Sequence, residues 1–165
     1  MSKKLLIILC VLLFAPCVYA GSRPEGFTGI KWGSYFHEFR NMNLKEFGKS
    51  GDRFRVYTRE DDNITLNNVR PTHVFYNFLD GMFSGVNMVF DIADKDKVIN
   101  ILTRQHGPCR KLNQYSYLWE FYDRELDEIF PFIIKAETLE IMDGSKVFNV
   151  QYSTPQESEY ASEIQ

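Results

Sequence analysis

Three arginines and a tyrosine occupy alternate positions in one short segment, the strongest binding pattern in the sequence. Arg53, Arg55, Tyr57 and Arg59 follow one another at every second residue. Alternate side chains of a β-strand lie on the same face, so these four are expected to share one face. Guanidinium groups bind carboxylates and phosphates through paired hydrogen bonds. The pattern predicts either a site for an anionic ligand or an acidic partner, or an ordinary solvated face that protects an edge strand.

A cysteine and a histidine close together suggest nucleophilic chemistry. His106 lies three residues before Cys109, and a Cys–His pair can act as nucleophile and base. Both residues lie where a helix is expected to end, and the helix dipole there disfavours a thiolate. We favour a partly buried structural thiol. An enzyme with dispersed catalytic residues, using Cys109 with His106 or His73, is the alternative to a binding function.

The sequence holds no recognisable metal or cofactor signature. His37, His73 and His106 are far apart and share no metal-ligand spacing. The acidic segment from Asp123 to Glu128 begins like a calcium loop, but it has glutamate where that loop needs glycine. We interpret it as a solvated turn. Phosphate loops, nucleophile elbows and paired carboxylates are also missing from the sequence, so we expect no metal, no cofactor and no catalytic activity.

Aromatic residues are frequent and suggest a second candidate surface. Large apolar residues alternate on both faces of the segment 72–91, and one layer of helices covers only one face of a sheet. The second face must contact the other half of the protein, a partner or a ligand. Core packing is the commoner explanation. The candidate binding residues of this surface are Tyr76, Phe78, Phe83 and Trp119. Such a face could serve a binding module or a protein inhibitor.

Two helices and a series of strands must position these residues. Ser34 is expected to cap a first helix, and Asp94 a second helix that ends at Gly107. Asp80-Gly81 and Asp143-Gly144 each predict a hairpin turn. Strands are predicted at residues 44–47, 53–59, 72–79, 82–91, 115–122, 129–135, 138–142 and 146–153.

The hairpins also predict which side chains share a face. A two-residue turn at Asp80-Gly81 pairs Phe78 with Phe83 and Phe75 with Val86. In the second hairpin, alternation places on one face Leu139, Ile141, Phe148, Val150 and Tyr152. Both halves of the chain have the order helix, strands and Asp-Gly hairpin. The predicted class is α+β, a mostly antiparallel sheet with two helices packed on it, and the two halves could be one degenerate duplicated unit.

The N-terminus has the organisation of a secretory signal peptide. Lys3 and Lys4 precede the apolar run Leu5–Phe14, and Ala20 is the small residue that signal peptidase needs. The run is far shorter than the ~20 residues that a membrane-spanning helix requires. We therefore predict a signal peptide over residues 1–20. A lipoprotein attached through Cys17 is the poorer alternative, because proline precedes that cysteine.

Removal of the predicted signal peptide changes the length, the net charge and the cysteine count of the chain. Of 165 residues, 145 remain, with a net charge of −5 and Cys109 as the one cysteine, which excludes an internal disulfide. The acidic balance excludes a strongly basic nucleic-acid binder. We predict a single domain over residues 21–153 and a flexible polar tail over residues 154–165. The short lysine region and the lack of a disulfide favour the bacterial periplasm.

Three short motifs in the chain are similar to those of a known group of proteins. With Trp32-Gly33-Ser34 at the start of one helix, His106-Gly107-Pro108 at the end of another and a strand at Trp119, it resembles small exported proteins of Gram-negative bacteria with no assigned activity. The resemblance implies periplasmic residence and a non-catalytic role, and it assigns no functional residue. We expect an exported, soluble periplasmic binding or assembly module without a membrane span. Its partner would be a protein or an anionic ligand of the cell envelope, not a nucleic acid.

Overall fold

An eight-stranded antiparallel sheet forms the centre of the fold. The computed structural model describes residues 23–122 and 131–163. The predicted signal peptide at residues 1–20 and the predicted acidic turn at residues 123–128 lie outside the described residues. Helices pack against the sheet, and the predicted α+β class is confirmed.

The first half of the chain supplies four consecutive strands of the sheet. They follow a two-stranded ribbon and a 3₁₀ helix. The elements are β1 (Gly26–Phe27), β2 (Ile30–Lys31), the 3₁₀ helix Phe36–Met42, β3 (Leu44–Ser50), β4 (Phe54–Arg59), β5 (His73–Leu79) and β6 (Met82–Asp91).

The second half supplies the other four strands in the same manner. Its elements are a 3₁₀ turn (Ile92–Asp94), α1 (Lys95–His106), β7 (Arg110–Lys111), β8 (Ser116–Phe121), β9 (Phe132–Glu140), β10 (Lys146–Ser153) and α2 (Pro155–Glu163). The sheet order is β3-β4-β5-β6-β10-β9-β8-β7. The last strand of the first half, β6, therefore pairs with the last strand of the second half, β10. In each half a helix precedes the four strands, which is the repeated order that the sequence predicts.

The first predicted helix is a 3₁₀ helix that begins one residue later than expected. Tyr35 rather than Ser34 is the N-cap residue. Its backbone N–H donates to Oε1 of Glu38 at 2.8 Å, the half of a capping box in which a side chain reaches back to the cap. Phe39 is the buried residue of this helix.

A β-bulge in β6 decides which residues form the core. Phe78 pairs with Phe83 as predicted, but one extra residue in β6 shifts the register, so Tyr76 rather than Phe75 lies opposite Val86. The predicted Phe75–Val86 pair is wrong because a regular hairpin was assumed. As a result, one face of the first hairpin collects Val74, Tyr76, Phe78, Phe83, Val86, Met88 and Phe90, all buried.

We call this buried face of the sheet the covered face. The main core lies between it and the helices that pack on it, which are α1 and the 3₁₀ helix Phe36–Met42. α1 contributes Val98, Ile101 and Leu102 to the core, whereas Gln105 is exposed. Strands of the second half complete the covered face with Trp119, Phe121, Phe132, Ile134, Ala136, Phe148, Val150 and Tyr152.

The second hairpin has a longer connection than its Asp-Gly sequence predicts. The strands predicted at residues 129–135 and 138–142 are one strand, β9, and a five-residue loop separates it from β10. Thr138 therefore lies opposite Phe148. Leu139, expected beside Phe148, lies on the other face and is 40% exposed.

The polar segment after β10 forms a helix. Its composition instead predicts a flexible tail. Pro155 begins α2, as suits the first helical position, and Oγ1 of Thr154 accepts the N–H of Glu157 at 3.4 Å. Glu157 contacts Asn77 and Gln151, whose side chains leave the sheet away from the main core. α2 therefore packs on the face opposite to α1.

Candidate functional site

The four aromatic residues predicted to bind a partner lie in the hydrophobic core. Tyr76, Phe78, Phe83 and Trp119 are each at most 3% exposed. The ring of Phe39 packs edge-on against Phe78 and Phe83, with centroid distances of 4.9 and 5.1 Å. A partner cannot reach these rings unless the core opens. The aromatic surface expected from the sequence is therefore core, and the bulge in β6 adds Val86, Met88 and Phe90 to the same covered face.

Two of these residues use their polar atoms for structure. Nε1 of Trp119 donates to the carbonyl oxygen of Gly107 at 2.9 Å, which ties β8 to the end of α1. The hydroxyl of Tyr76 donates to Oδ2 of Asp62 at 2.7 Å. Burial and that hydrogen bond raise the pKa of Tyr76 far above its ordinary value. Both side chains are fixed parts of the core boundary.

Ion pairs with neighbouring strands engage two of the predicted arginines. Nη2 of Arg53 lies 2.7 Å from Oδ2 of Asp80, and Nε of Arg53 also donates to that carboxylate. Nη1 of Arg55 lies 3.2 Å from Oε2 of Glu46. Tyr57 packs against Phe36, with ring centroids 4.7 Å apart. The charge of Arg53 and Arg55 is thus balanced within the protein.

The third arginine faces acidic neighbours. Arg59 lines a cleft of about 420 Å³ together with Asp61, Asp62 and Tyr76. Oδ1 of Asp62 is buried there without a hydrogen-bond donor from the described residues. Two carboxylates repel an anion at this cleft. Binding of an anion or an acidic partner by the arginine strand stays a prediction with little electrostatic support.

The topology separates Cys109 from His73, one of the two histidines of the alternative enzyme hypothesis. Cys109 is half-buried and packs against the core, and the ring of His106 meets Phe121 edge-on at 5.9 Å. His73 is in β5, the third strand of the sheet, whereas Cys109 precedes β7, the eighth. Five strand spacings amount to about 24 Å. His73 is therefore too far away to serve Cys109 as a base.

The face of the sheet opposite to α1 has a broad area that α2 leaves uncovered. We call it the open face and define it by residues that are exposed or half-buried, namely Phe47, Phe75, Asn87, Val89 and Leu139. Phe47 is 68% exposed, and its ring centroid lies 4.9 Å from that of Phe75. Oδ1 of Asn87 is buried and has no hydrogen-bond donor within the described residues. An exposed aromatic ring thus contacts a half-buried one on this face.

Four charged groups on this side of the sheet form two ion pairs. Nζ of Lys135 lies 2.8 Å from Oε2 of Glu137, and Nη2 of Arg110 lies 2.8 Å from Oε2 of Glu120. An uncharged centre with aromatic residues, surrounded by a polar rim, is the arrangement found in protein–protein interfaces. Phe47, Phe75 and Asn87 were not predicted as binding residues. The pairing of Phe75 with Asn87 depends on the bulge in β6, and Phe47 lies at a separate register shift in β3.

A buried carboxyl group lies at the other end of this face, beneath α2. Oε1 of Glu157 accepts hydrogen bonds from Nδ2 of Asn77 at 3.0 Å, Nε2 of Gln151 at 3.4 Å and Oγ of Ser153 at 3.5 Å. Burial raises the pKa of Glu157, although its hydrogen bonds act in the opposite direction. Its position makes Glu157 the polar anchor of α2.

Comparison with known proteins gives no further guide. No family model, no curated protein and no solved structure matches the chain. Among residues 23–122 and 131–163, no helix has the length and apolarity needed to cross a bilayer. The same residues contain no cluster of three or more histidine, cysteine or acidic side chains that could hold a metal ion.

Proposed function

We propose that the protein is a binding module that engages another protein through the open face of its sheet. The observation that carries the proposal is the exposed ring of Phe47, which contacts the half-buried ring of Phe75. Aromatic rings bury much apolar area at small entropic cost, and they are enriched in the centres of protein interfaces.

The charges favour a protein over the other classes of partner. Nucleic acids and anionic lipid surfaces are bound by clusters of unpaired lysine and arginine. On this side of the sheet Lys135, Arg110 and Lys45 are each paired with an acidic residue. The chain carries a net charge of −3. An uncharged protein surface with apolar groups matches the open face best.

The compartment follows from the predicted signal peptide. Lys3, Lys4 and the apolar run Leu5–Phe14 favour export, so we place the partner in the bacterial cell envelope. There the protein would act as a binding or assembly module without catalysis. The separation of Cys109 from His73 in the sheet supports a non-catalytic role.

Site-specific photocrosslinking tests the proposal. Benzoylphenylalanine replaces Phe47 on the open face, or the exposed Gln105 of α1 on the covered side, in cells of the native host. We expect one discrete protein adduct from position 47 and none from position 105. Equal adducts from both positions, or none from position 47, would overturn the proposal.

A pair of charge variants sharpens the test. Leu139→Glu places a carboxylate on the open face, and Asn100→Glu places one on the exposed side of α1. The adduct from position 47 should be lost in the first variant and kept in the second. An Arg53/Arg55/Arg59→Ala triple variant should keep it as well. Loss of the adduct in the triple variant alone would assign binding to the arginine strand instead.

A further inference from the structure

The helix α2 covers one end of the same sheet face, and its attachment is mainly polar. Its nine residues, Pro155–Glu163, include few apolar side chains. Tyr160 stacks on Phe54 with centroids 6.1 Å apart, and its hydroxyl donates to the carbonyl oxygen of Ser50 at 3.3 Å. Apolar burial alone gives such a helix little stability. Its attachment therefore depends on Glu157, its most deeply buried ionisable group.

One carboxyl group joins α2 to three strands. Asn77 of β5 and both Gln151 and Ser153 of β10 donate to its Oε1 atom. Gly85 of β6 lies directly beneath the carboxyl group, which fills the space of a side chain there. Oε2 has no hydrogen-bond donor within the described residues. Burial favours the neutral carboxylic acid over the carboxylate, because hydrogen bonds to one oxygen replace only part of the hydration that an ionised group loses.

The charged groups around the helix do not neutralise an ionised Glu157. Lys135 of β9 and Glu157 line one cavity of about 390 Å³, but Lys135 is paired with Glu137. Arg53, beside β4, lies over the ring of Tyr160 and is paired with Asp80. A second cavity borders α2, and besides Arg53 and Asp80 it is lined by the charged residues Arg23 and Glu159. An ionised Glu157 would thus be buried without a dedicated counter-charge.

We propose that α2 is a releasable cover, and that ionisation of Glu157 detaches it and uncovers the strip of Asn77, Gly85, Gln151 and Ser153 for the partner. The statement about the partner rests on the proposed function, whereas release of the helix does not. The covered strip continues the open face along β5, β6 and β10. Release therefore enlarges one continuous surface.

The direction of the pH effect follows from burial. Attachment holds the pKa of Glu157 above its ordinary value of 4.5, so the attached state binds a proton that the released state gives up. Attachment is strongest below that ordinary value, and it weakens as pH rises through the interval up to the raised pKa. Above the raised pKa no further change is expected.

Hydrogen exchange measured by mass spectrometry tests the release in the full chain without any partner. After correction for intrinsic rates, protection of residues 155–163 should fall by up to tenfold per pH unit above pH 4.5. Glu157→Gln keeps a hydrogen-bonding side chain of the same shape without the charge, so its protection should not change with pH. Glu159→Gln, two residues further and exposed, should behave like the wild type.

Each result separates the cover from the binding face. Wild-type protection that is flat with pH, or an equal change in both glutamine variants, would overturn the release whatever the crosslinking experiment gives. Glu157→Lys detaches α2 at every pH and should increase the adduct yield from position 47 several-fold. Release with an unchanged yield would overturn the covering role and leave the open face as the binding surface.

Discussion

The carboxyl group of Glu157 lies where Gly85 would carry a side chain. A buried acid and a glycine on different elements thus form one contact, and the backbone carbonyl oxygen of Tyr152 also borders the space above the glycine. Any side chain at position 85 displaces the carboxyl group, and the loss of that group leaves Asn77 and Ser153 without their common acceptor. The contact makes attachment of α2 sensitive to a single methyl group in β6.

Gly85→Ala should therefore destabilise the protein by about 1–3 kcal/mol, the usual cost of overpacking. Gly48→Ala in β3 is the matched control, because nothing lies within 4 Å of the added methyl group. It should change the free energy of unfolding by less than about 0.5 kcal/mol. Urea unfolding followed by circular dichroism measures both. Equal effects of the two substitutions would contradict the contact.

Tyr76→Phe should cost about 1–2 kcal/mol, because it removes the hydrogen bond to Asp62 and leaves a carboxylate oxygen without its donor. Tyr152→Phe is the control. Tyr152 is equally deep in the covered face, and its hydroxyl makes no hydrogen bond among the described residues. That substitution should be nearly neutral in urea unfolding. A Tyr76→Phe/Asp62→Asn double variant should lose less than the sum of the single losses.

Local signals in the sequence were sufficient for most of the fold. The alternating runs around Asp80-Gly81 gave the hairpin and the Phe78–Phe83 pair, and both are confirmed. The order helix, strands and hairpin in each half gave the α+β class. These features depend on turn chemistry and on periodicity within about twenty residues, which a single sequence records directly.

The faces of the strands could not be predicted in the same way. One extra residue reverses every side chain beyond it, and the bulge in β6 moves Val86 to the covered face, while Phe75 of β5 stays on the opposite one. The longer loop before β10 likewise moves Leu139 outward. The candidate site was misplaced for this reason. Attachment of α2 was missed because it depends on Asn77, about eighty residues from Glu157 in sequence.

The ion pair between Arg53 and Asp80 should be visible in an NMR titration of carboxyl carbons. The hydrogen bonds from Arg53 hold the pKa of Asp80 below its ordinary value of 3.8. Any stability it contributes is therefore present above that value and is lost as pH falls through the lowered pKa. Arg53→Gln should return the pKa of Asp80 towards 3.8.

The same titration contains its own control. Ser145 lowers the pKa of Asp143 in the other hairpin by hydrogen bonds, and the Arg53→Gln substitution should leave that carboxyl unchanged. A shift of Asp143 equal to that of Asp80 would indicate a general change of the fold. An unshifted Asp80 would show that the guanidinium group does not hold its carboxylate in solution.

The two tryptophans provide a matched test of the core boundary. Each indole N–H donates to a carbonyl oxygen at 2.9 Å, Trp119 to Gly107 and Trp32 to Pro24. Trp119 is 3% exposed, and Gly107 is buried as well. Trp119→Phe therefore leaves a buried carbonyl unpaired beside a small cavity, at a cost of about 2–4 kcal/mol of the free energy of unfolding.

Trp32 is the matched control, because it is half-buried and water can replace the indole N–H as donor to the carbonyl oxygen of Pro24. Trp32→Phe should cost less than about 1.5 kcal/mol. Chemical unfolding of the two variants gives the difference, and equal losses would place Trp119 nearer the solvent than the structure has it.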